Sequence, residues 1–458
     1  MKPARHYFSP VVSLAALSLA CAAPALRSAP APATVPPARQ QPVPDSLDLK
    51  TAIAYALENN FAIRQARERI RQQDGVIVEV SSRTIPNVGA SATYQLNDKE
   101  ISNGFPVSDQ TWQINLTASQ TLYAGGGVQS AVRGAKLARE AALLELQAVI
   151  NDSLLQVRTS FYQVLLARER IKVQESNLDL LQQQLKTTTD RYQAGTVSSF
   201  EKLRAEVAVA NAKAPLIAAR NDYRLAVESL RQALGFTTNT PESLRKVPDF
   251  VGSLDFAPQT FDLQASFETA RANRPDLERI ARLADARGEA VVSARSGFYP
   301  TVSAFGGWTL RRGPSDRFRD SDNGWLLGVQ SQWDIFDGRA TAGRVAQAKS
   351  QLEQVKLTLT EAQLAVEIEV RRAHSQWQEA TELAEASQKV VEQATEAVRL
   401  ANARYNAGTS TQLDVLAAQV DLTTARTNQI LAFFNYNVAV ASLRKATGKA
   451  DEFTTETR

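Results

Sequence analysis

The chain is built from two copies of one unit, and that duplication constrains its fold more than any other feature of the sequence. Arg191-Tyr192-Gln193-Ala194-Gly195-Thr196 returns as Arg404-Tyr405-Asn406-Ala407-Gly408-Thr409, about 213 residues later. Ser229-Leu230-Arg231 returns as Ser442-Leu443-Arg444 at the same offset. Earlier landmarks agree after a slip of one residue: Asp48-Leu49 with Asp262-Leu263, Asn59 with Asn273, and Pro86 with Pro300.

Each copy reads as a helix, two strands, a very long helix and a shorter helix. From Val128 to Tyr192 there is no proline, and Leu143, Leu146, Ile150, Leu154, Val157, Phe161 and Val164 recur in steps of three and four. Such a run gives a rod near 100 Å, at about 1.5 Å per residue. The second copy repeats it from Arg339 to Asn406. Ala194-Gly195 and Ala407-Gly408 supply glycines for left-handed helix stops, and the helical pattern resumes at once, so each rod returns as an antiparallel hairpin. Pro215 falls in the first returning helix, where it removes a backbone donor and predicts a kink or local underwinding; Asn428 stands at the matching place in the second copy.

Before each rod the period changes to two. Trp112, Ile114, Leu116 and Ala118 alternate with Gln113, Asn115, Thr117 and Ser119. The expected strands are 88–96 and 110–121 in the first copy and 301–310 and 325–336 in the second, the last of these less strictly alternating. Four of the five tryptophans, Trp112, Trp308, Trp325 and Trp333, fall in these segments. Ten tilted residues suffice to cross an outer membrane, where aromatic side chains gather at the edges of the apolar band. Four strands cannot close a barrel, and an open edge cannot face lipid, so several chains must share the sheet.

The N-terminus gives an address. Lys2 and Arg5 precede an apolar run from Val11 to Ala20 and then small residues, the order of a secretory signal, and the run is too short to span a bilayer. Cleavage after Ala22 would remove Cys21, whereas acylation of Cys21 would make it a lipid-bearing N-terminus; both readings stay open. The next segment, 23–46, carries seven of the eighteen prolines and reads as an extended tether.

The remaining boundaries are a first repeat at 47–236 with its helix hairpin at 127–235, and a linker at 237–260. A second repeat follows at 261–448, with its hairpin at 339–447, and then a tail at 449–458.

Composition removes most catalytic chemistry. Two histidines, one cysteine and one methionine leave no disulfide framework, Cys/His zinc site or Met-rich copper site. A net charge of +4, spread along the chain, gives no nucleic-acid platform. Gly125-Gly126-Gly127 lacks the Lys-Ser/Thr of a phosphate loop and reads as a strand-to-helix corner. His374 has no triad spacing to Ser375 or Glu379 and reads as a surface or interhelical residue. No catalytic, cofactor or metal residue is expected.

With its export signal, duplicated units and the stretch Tyr405, Gly408, Thr409, Thr411, Asp414, Val415, Leu416, the chain resembles the TolC-type outer membrane factors, the outer membrane efflux proteins. The resemblance spans about Leu47 to Gly448. It implies a mixed fold of long α-helices with membrane β-strands, and a homotrimer whose twelve strands form one outer-membrane barrel continuous with a twelve-helix periplasmic tunnel. It further implies a passive exit duct of an efflux pump or type I secretion system, with a periplasmic adaptor (membrane fusion) protein and an inner-membrane transporter as partners. The implied location is the outer membrane of a Gram-negative-type bacterium, in contact with its lipid.

In such proteins the periplasmic aperture is narrowed by acidic rings, and Asp414 falls on the first acidic position. The second is Ala417 here, and the family's nearby arginine is Ser410. The alternative for Asp414 is a solvated carboxylate favoured by a helix N-terminus. Gly195, Thr196, Gly408 and Thr409 mark the hairpin tips expected to meet the adaptor, with Tyr405 supporting the motif. A periplasmic coiled-coil adaptor or scaffold without a barrel would explain the rods alone, and a secreted hydrolase only the signal.

Overall fold

The computed structural model describes residues 46–96, 98, 110–236, 248–312 and 320–449. The signal segment, Cys21, nearly all of the tether, much of the linker and all but the first residue of the tail lie outside the described residues.

The first copy opens with β1 (Ser46–Leu47), α1 (Leu49–Asn59) and α2 (Phe61–Ser81). The helical stretch before the strands is therefore two helices, not one. Asn60 is the reason: its backbone leaves the helix at ψ 129°, while its side chain accepts from the Ala62 and Ile63 amides at 2.9 and 3.3 Å and starts α2. The second copy breaks at the same place by other chemistry. After β4 (Asp249–Phe250), which pairs in parallel with β1, come α5 (Leu263–Asn273) and α6 (Pro275–Arg295). Arg274 is held extended because Pro275 follows it, and Pro275 sits at the start of α6, where its missing N–H costs nothing.

Four strands follow in two hairpins, β2 (Asn87–Leu96) with β3 (Gln110–Ala124) and β5 (Thr301–Arg312) with β6 (Ser321–Gln332). They form one antiparallel sheet in the order β2-β3-β5-β6, so β3 and β5 join the two copies. The last strand corrects the sequence reading: it spans Ser321–Gln332 instead of 325–336. The ladder ends with Thr301 opposite Gln332, because Pro300 cannot donate and the 3₁₀ turn Ser296–Phe298 carries the preceding chain away. Trp333 instead donates its indole N–H to the Phe298 carbonyl at 3.2 Å.

The long helices α3 (Gly127–Gln193) and α7 (Ala340–Asn406) have 67 residues each. They return as α4 (Ser199–Leu234), one helix through Pro215, and α8 (Gln412–Ala446). Their cores form where the short helices cross them. Ile53 of α1 meets Leu154, Val157, Phe161 and Leu165 of α3 and Leu230 and Leu234 of α4, all at most 2% exposed. Burial of such side chains contributes about 1.5–3 kcal/mol each. In the second copy Leu277 meets Val370, Trp377, Tyr436 and Leu443. His374 belongs to this core: its Nε2 lies 3.2 Å from the Phe261 carbonyl, and its ring meets Trp377 edge-on.

One glycine closes each copy by contact with the other end of the same copy. A Cβ on Gly235 would meet the Asn59 carbonyl oxygen at 2.5 Å, and one on Gly448 would meet that of Asn273 at 3.0 Å. Gly125, at φ 56°, makes the strand-to-helix corner, where a Cβ would lie 2.9 Å from the Ser296 carbonyl.

Candidate channel elements

The register sorts the sheet into two chemically different faces. Opposite one another stand Tyr94 and Trp112, Leu116 and Trp308, then Trp308 and Trp325. Val88, Leu96, Ile114, Leu327 and Val329 share that face, and Trp325, Leu327 and Val329 are 81%, 77% and 67% exposed. The other face carries Ser91, Thr93, Gln113, Asn115, Thr117 and Thr309, with Thr309 donating to Asn115 at 3.0 Å. An apolar and aromatic face this exposed is unlike the surface of a soluble sheet and suits lipid, while the polar face suits water. No described helix is long and apolar enough to cross a membrane. Among the described residues, β2 and β6 each have one unpaired edge.

Below the sheet, Tyr123, Phe298, Tyr299, Trp333 and Phe336 are all about half exposed or more. They gather where the strands give way to α3 and α7, as an aromatic belt does at a membrane surface. Trp333, Ile335 and Phe336 serve this junction and not a strand.

At the far end of the long helices, Gly195 and Gly408 adopt φ 73° and 71°. Gly195 N–H donates to the Tyr192 carbonyl and Thr196 N–H to that of Arg191, each at 2.9 Å; Gly408 and Thr409 repeat this toward Tyr405 and Arg404 at 3.1 and 2.9 Å. Both tips are Schellman stops, and the space where a glycine Cβ would stand is open in both. The structure joins the tips through a residue pair that the sequence reading did not single out. The Arg191 guanidinium lies over the Tyr405 ring at 4.7 Å and donates to Asn406 Oδ1 at 2.9 Å. Only the repetition of Arg-Tyr in both copies hinted at it, and repetition does not say which copy's arginine meets which tyrosine. Deeper in the same seam Gln412 donates to Thr188 at 3.2 Å and Thr423 to Asn177 at 3.1 Å.

Asp414 occupies the third position of α8 and is tied to its own helix start. Its Oδ2 accepts from the Ser410 hydroxyl at 2.6 Å and from the Thr411 amide and hydroxyl at 2.9 Å, a capping box. The Ser410 hydroxyl first, and then the Thr411 N–H, hold its carboxyl below the usual carboxylate range. Ser410 thus satisfies the carboxylate locally. Among the described residues no group of three or more His, Cys, Asp or Glu could hold a metal ion.

A duplicated chain with a lipid-suited sheet at one end of paired long helices defines a membrane conduit protein. The sequence matches the outer membrane efflux protein family over residues 52–236 and 267–449, and the chain belongs to that family. Its curated relatives include Protein CyaE of Bordetella pertussis, 26% identical, with 88% of this chain and 85% of that one covered. Another is the cobalt-zinc-cadmium resistance protein CzcC of Cupriavidus metallidurans, also 26% identical, with 83% and 85% covered. Among solved structures, the CmeC outer membrane channel of Campylobacter jejuni superposes with a TM-score of 0.76 at 16% identity, covering 89% of this chain and 88% of that one. The outer membrane protein VceC of Vibrio cholerae gives 0.74 at 17%, covering 88% and 96%. The protein is an outer membrane efflux protein of the TolC type, and the reading as a barrel-less adaptor is set aside by this membership and by the exposed aromatic sheet.

Proposed function

We propose that three copies of this chain pair β6 of one protomer with β2 of the next. The twelve strands close into an outer-membrane barrel, continued in the periplasm by a tunnel of long helices. The observation that carries this reading is the four-stranded sheet with two open edges, one apolar face and one polar face. Open edges have no place in lipid, and closure with a second chain alone would give eight strands, whose interior side chains fill. Twelve leave a water-filled lumen lined by Thr, Asn and Gln. The duct is passive, takes its cargo from an inner-membrane transporter through a periplasmic adaptor, and meets that adaptor at the tips around Gly195-Thr196 and Gly408-Thr409. It serves small-molecule efflux or protein export. The detergent-solubilised protein should run as a trimer by light scattering and conduct ions in planar bilayers; a water-soluble monomer without detergent would overturn the reading.

A further inference from the structure

The two copies meet inside one chain through only one of the two seams that a ring of alternating copies needs. In the intrachain seam α3 of the first copy lies against α8 of the second, and its end is sealed by Arg191 on Tyr405 and Asn406. The repeat offset converts these three residues into Arg404, Tyr192 and Gln193: an arginine, a tyrosine and a side-chain amide again. Their surroundings differ in one respect. Tyr405 is 8% exposed, whereas Tyr192 is 42% exposed, with the Lys202 ammonium 5.7 Å from its ring.

A second position behaves in the same way. Leu416 of α8 packs against the first copy's Leu181, Val209 and Ala212, while its counterpart on α4, Leu203, is 57% exposed. Two residues that are covered at the intrachain seam thus have exposed twins.

We propose that the seam between protomers repeats the intrachain contact. Arg404 of one protomer stacks on Tyr192 of the next and donates to its Gln193, while Leu203 seats between α7 and α8 of the first protomer. The occupant of the exposed face is a second copy of this chain, since the chain itself carries the matching half. The seams are not identical in their depth. The polar pair Asn177 and Thr423 of the intrachain seam becomes Val390 and Ala210, so the seam between protomers is the drier one there. Lys389 and Lys213 would also approach, at the places of Ser176 and Arg426, and their long stems allow both ammonium groups to reach water.

This inference rests on the trimeric reading above, and its test separates the two. Tyr192→Cys and Arg404→Cys chains, co-expressed as separate copies, are treated with a short flexible bismaleimide. Dimer-mass species are expected on denaturing gels, since no single copy carries both thiols. Arg191→Cys with Tyr405→Cys in one chain should cross-link without a gain in mass. The second measurement uses alanines: Tyr192→Ala and Arg404→Ala should each lower the temperature at which the trimer dissociates in detergent, and the double variant should lose no more than the larger single loss. Trimers that give no Tyr192–Arg404 cross-link, or alanine effects that simply add, would overturn the contact while leaving the trimer standing. Absence of trimer in the wild-type protein would overturn both.

Discussion

The Lys445 ammonium of α8 lies 3.1 Å from the Asp152 carboxylate of α3 and 3.0 Å from Glu369 of α7, so one side chain ties both long helices to the end of the second copy. Glu369 also receives Arg274 at 2.7 Å, and Arg274 holds Asp276 at 2.7 Å and the Ala446 carbonyl at 3.2 Å. The Arg274 side chain is only 8% exposed. In the first copy Asn60 does the same closing work with a neutral amide, donating to the Ala233 carbonyl at 2.7 Å.

Removal of Arg274 leaves Asp276 partly buried without its cation and leaves Glu369 to Lys445 alone. Arg274→Ala should therefore cost about 3 kcal/mol, within the range for breaking a buried pair. Asn60→Ala should cost nearer 1 kcal/mol, the usual worth of a neutral cap. Denaturation midpoints of the detergent-solubilised protein measure both, and equal effects would contradict the ranking.

The same cluster sets a pH window. Burial pushes the Asp276 carboxyl up, but the Arg274 hydrogen bond and charge outweigh it and the pKa falls. A lowered folded value stabilises above the unfolded pKa, near 3.9, and that stability drains away as pH falls through the folded value. Lys445 is the opposite case. Burial lowers its pKa, yet Glu369 and Asp152 raise it overall, so its contribution is complete below about pH 10 and is lost as pH rises through the folded value. Arg274→Ala should flatten the acid limb of a stability-versus-pH curve, and Lys445→Met the alkaline limb. A variant curve parallel to wild type at both ends would refute the assignment.

Glycine substitutions should separate folding from docking. At Gly235 both the left-handed φ of 77° and the Asn59 carbonyl forbid a side chain, so Gly235→Ala should lower the yield of folded protein. At Gly195 and Gly408 only the backbone angle resists, and Gly195→Val or Gly408→Val should cost about 1–2 kcal/mol at the tip while the barrel still assembles. Adaptor cross-linking should then fall with barrel assembly intact. Full adaptor cross-linking and export in both tip variants would remove the tips from the adaptor interface.

Much of this was readable from the chain because it rests on period. The duplication, the long helices and the alternation of Trp112 to Ala118 are one-dimensional patterns, and the tips carry glycine at the place where a helix must stop. What escaped was set by partners distant in sequence. The last strand ends at Gln332 because β5 begins after Pro300, and Trp333 to Phe336 look like strand until that ladder is known. Likewise Arg191 on Tyr405 is a choice between two equivalent arginines that only the folded chain makes.

The two sheet faces predict opposite tolerance to charge. Leu327 stands on the apolar face at 77% exposure, and Gln330 points to the polar one. Leu327→Arg should destabilise by about 2–4 kcal/mol if it lies near the bilayer midplane, whereas Gln330→Arg should assemble normally and change conductance. Heat resistance of the trimer in mild detergent and single-channel recording read the two effects, and a tolerated Leu327→Arg would reverse the faces.

Asp414 gives the sharpest test of the aperture. We propose that three copies of it line the periplasmic opening, but the Ser410 and Thr411 contacts show that each carboxylate is already held in a local cap with its pKa lowered. Three such groups stay ionised at neutral pH, and a ring of ionised carboxylates favours cations. Asp414→Asn keeps the shape and an acceptor for the Thr411 amide while removing the charge. It should therefore reduce cation preference and block by multivalent cations with little change in stability. Glu201, the acidic residue in the first turn of α4, stands at the matching place in the first copy, and Glu201→Gln should change both properties less than Asp414→Asn if the second copy's hairpin is the inner one at the opening. If planar-bilayer recordings show the reverse, with Glu201→Gln altering selectivity and Asp414→Asn silent, then Asp414 does no more than start α8, and the first copy's hairpin surrounds the opening.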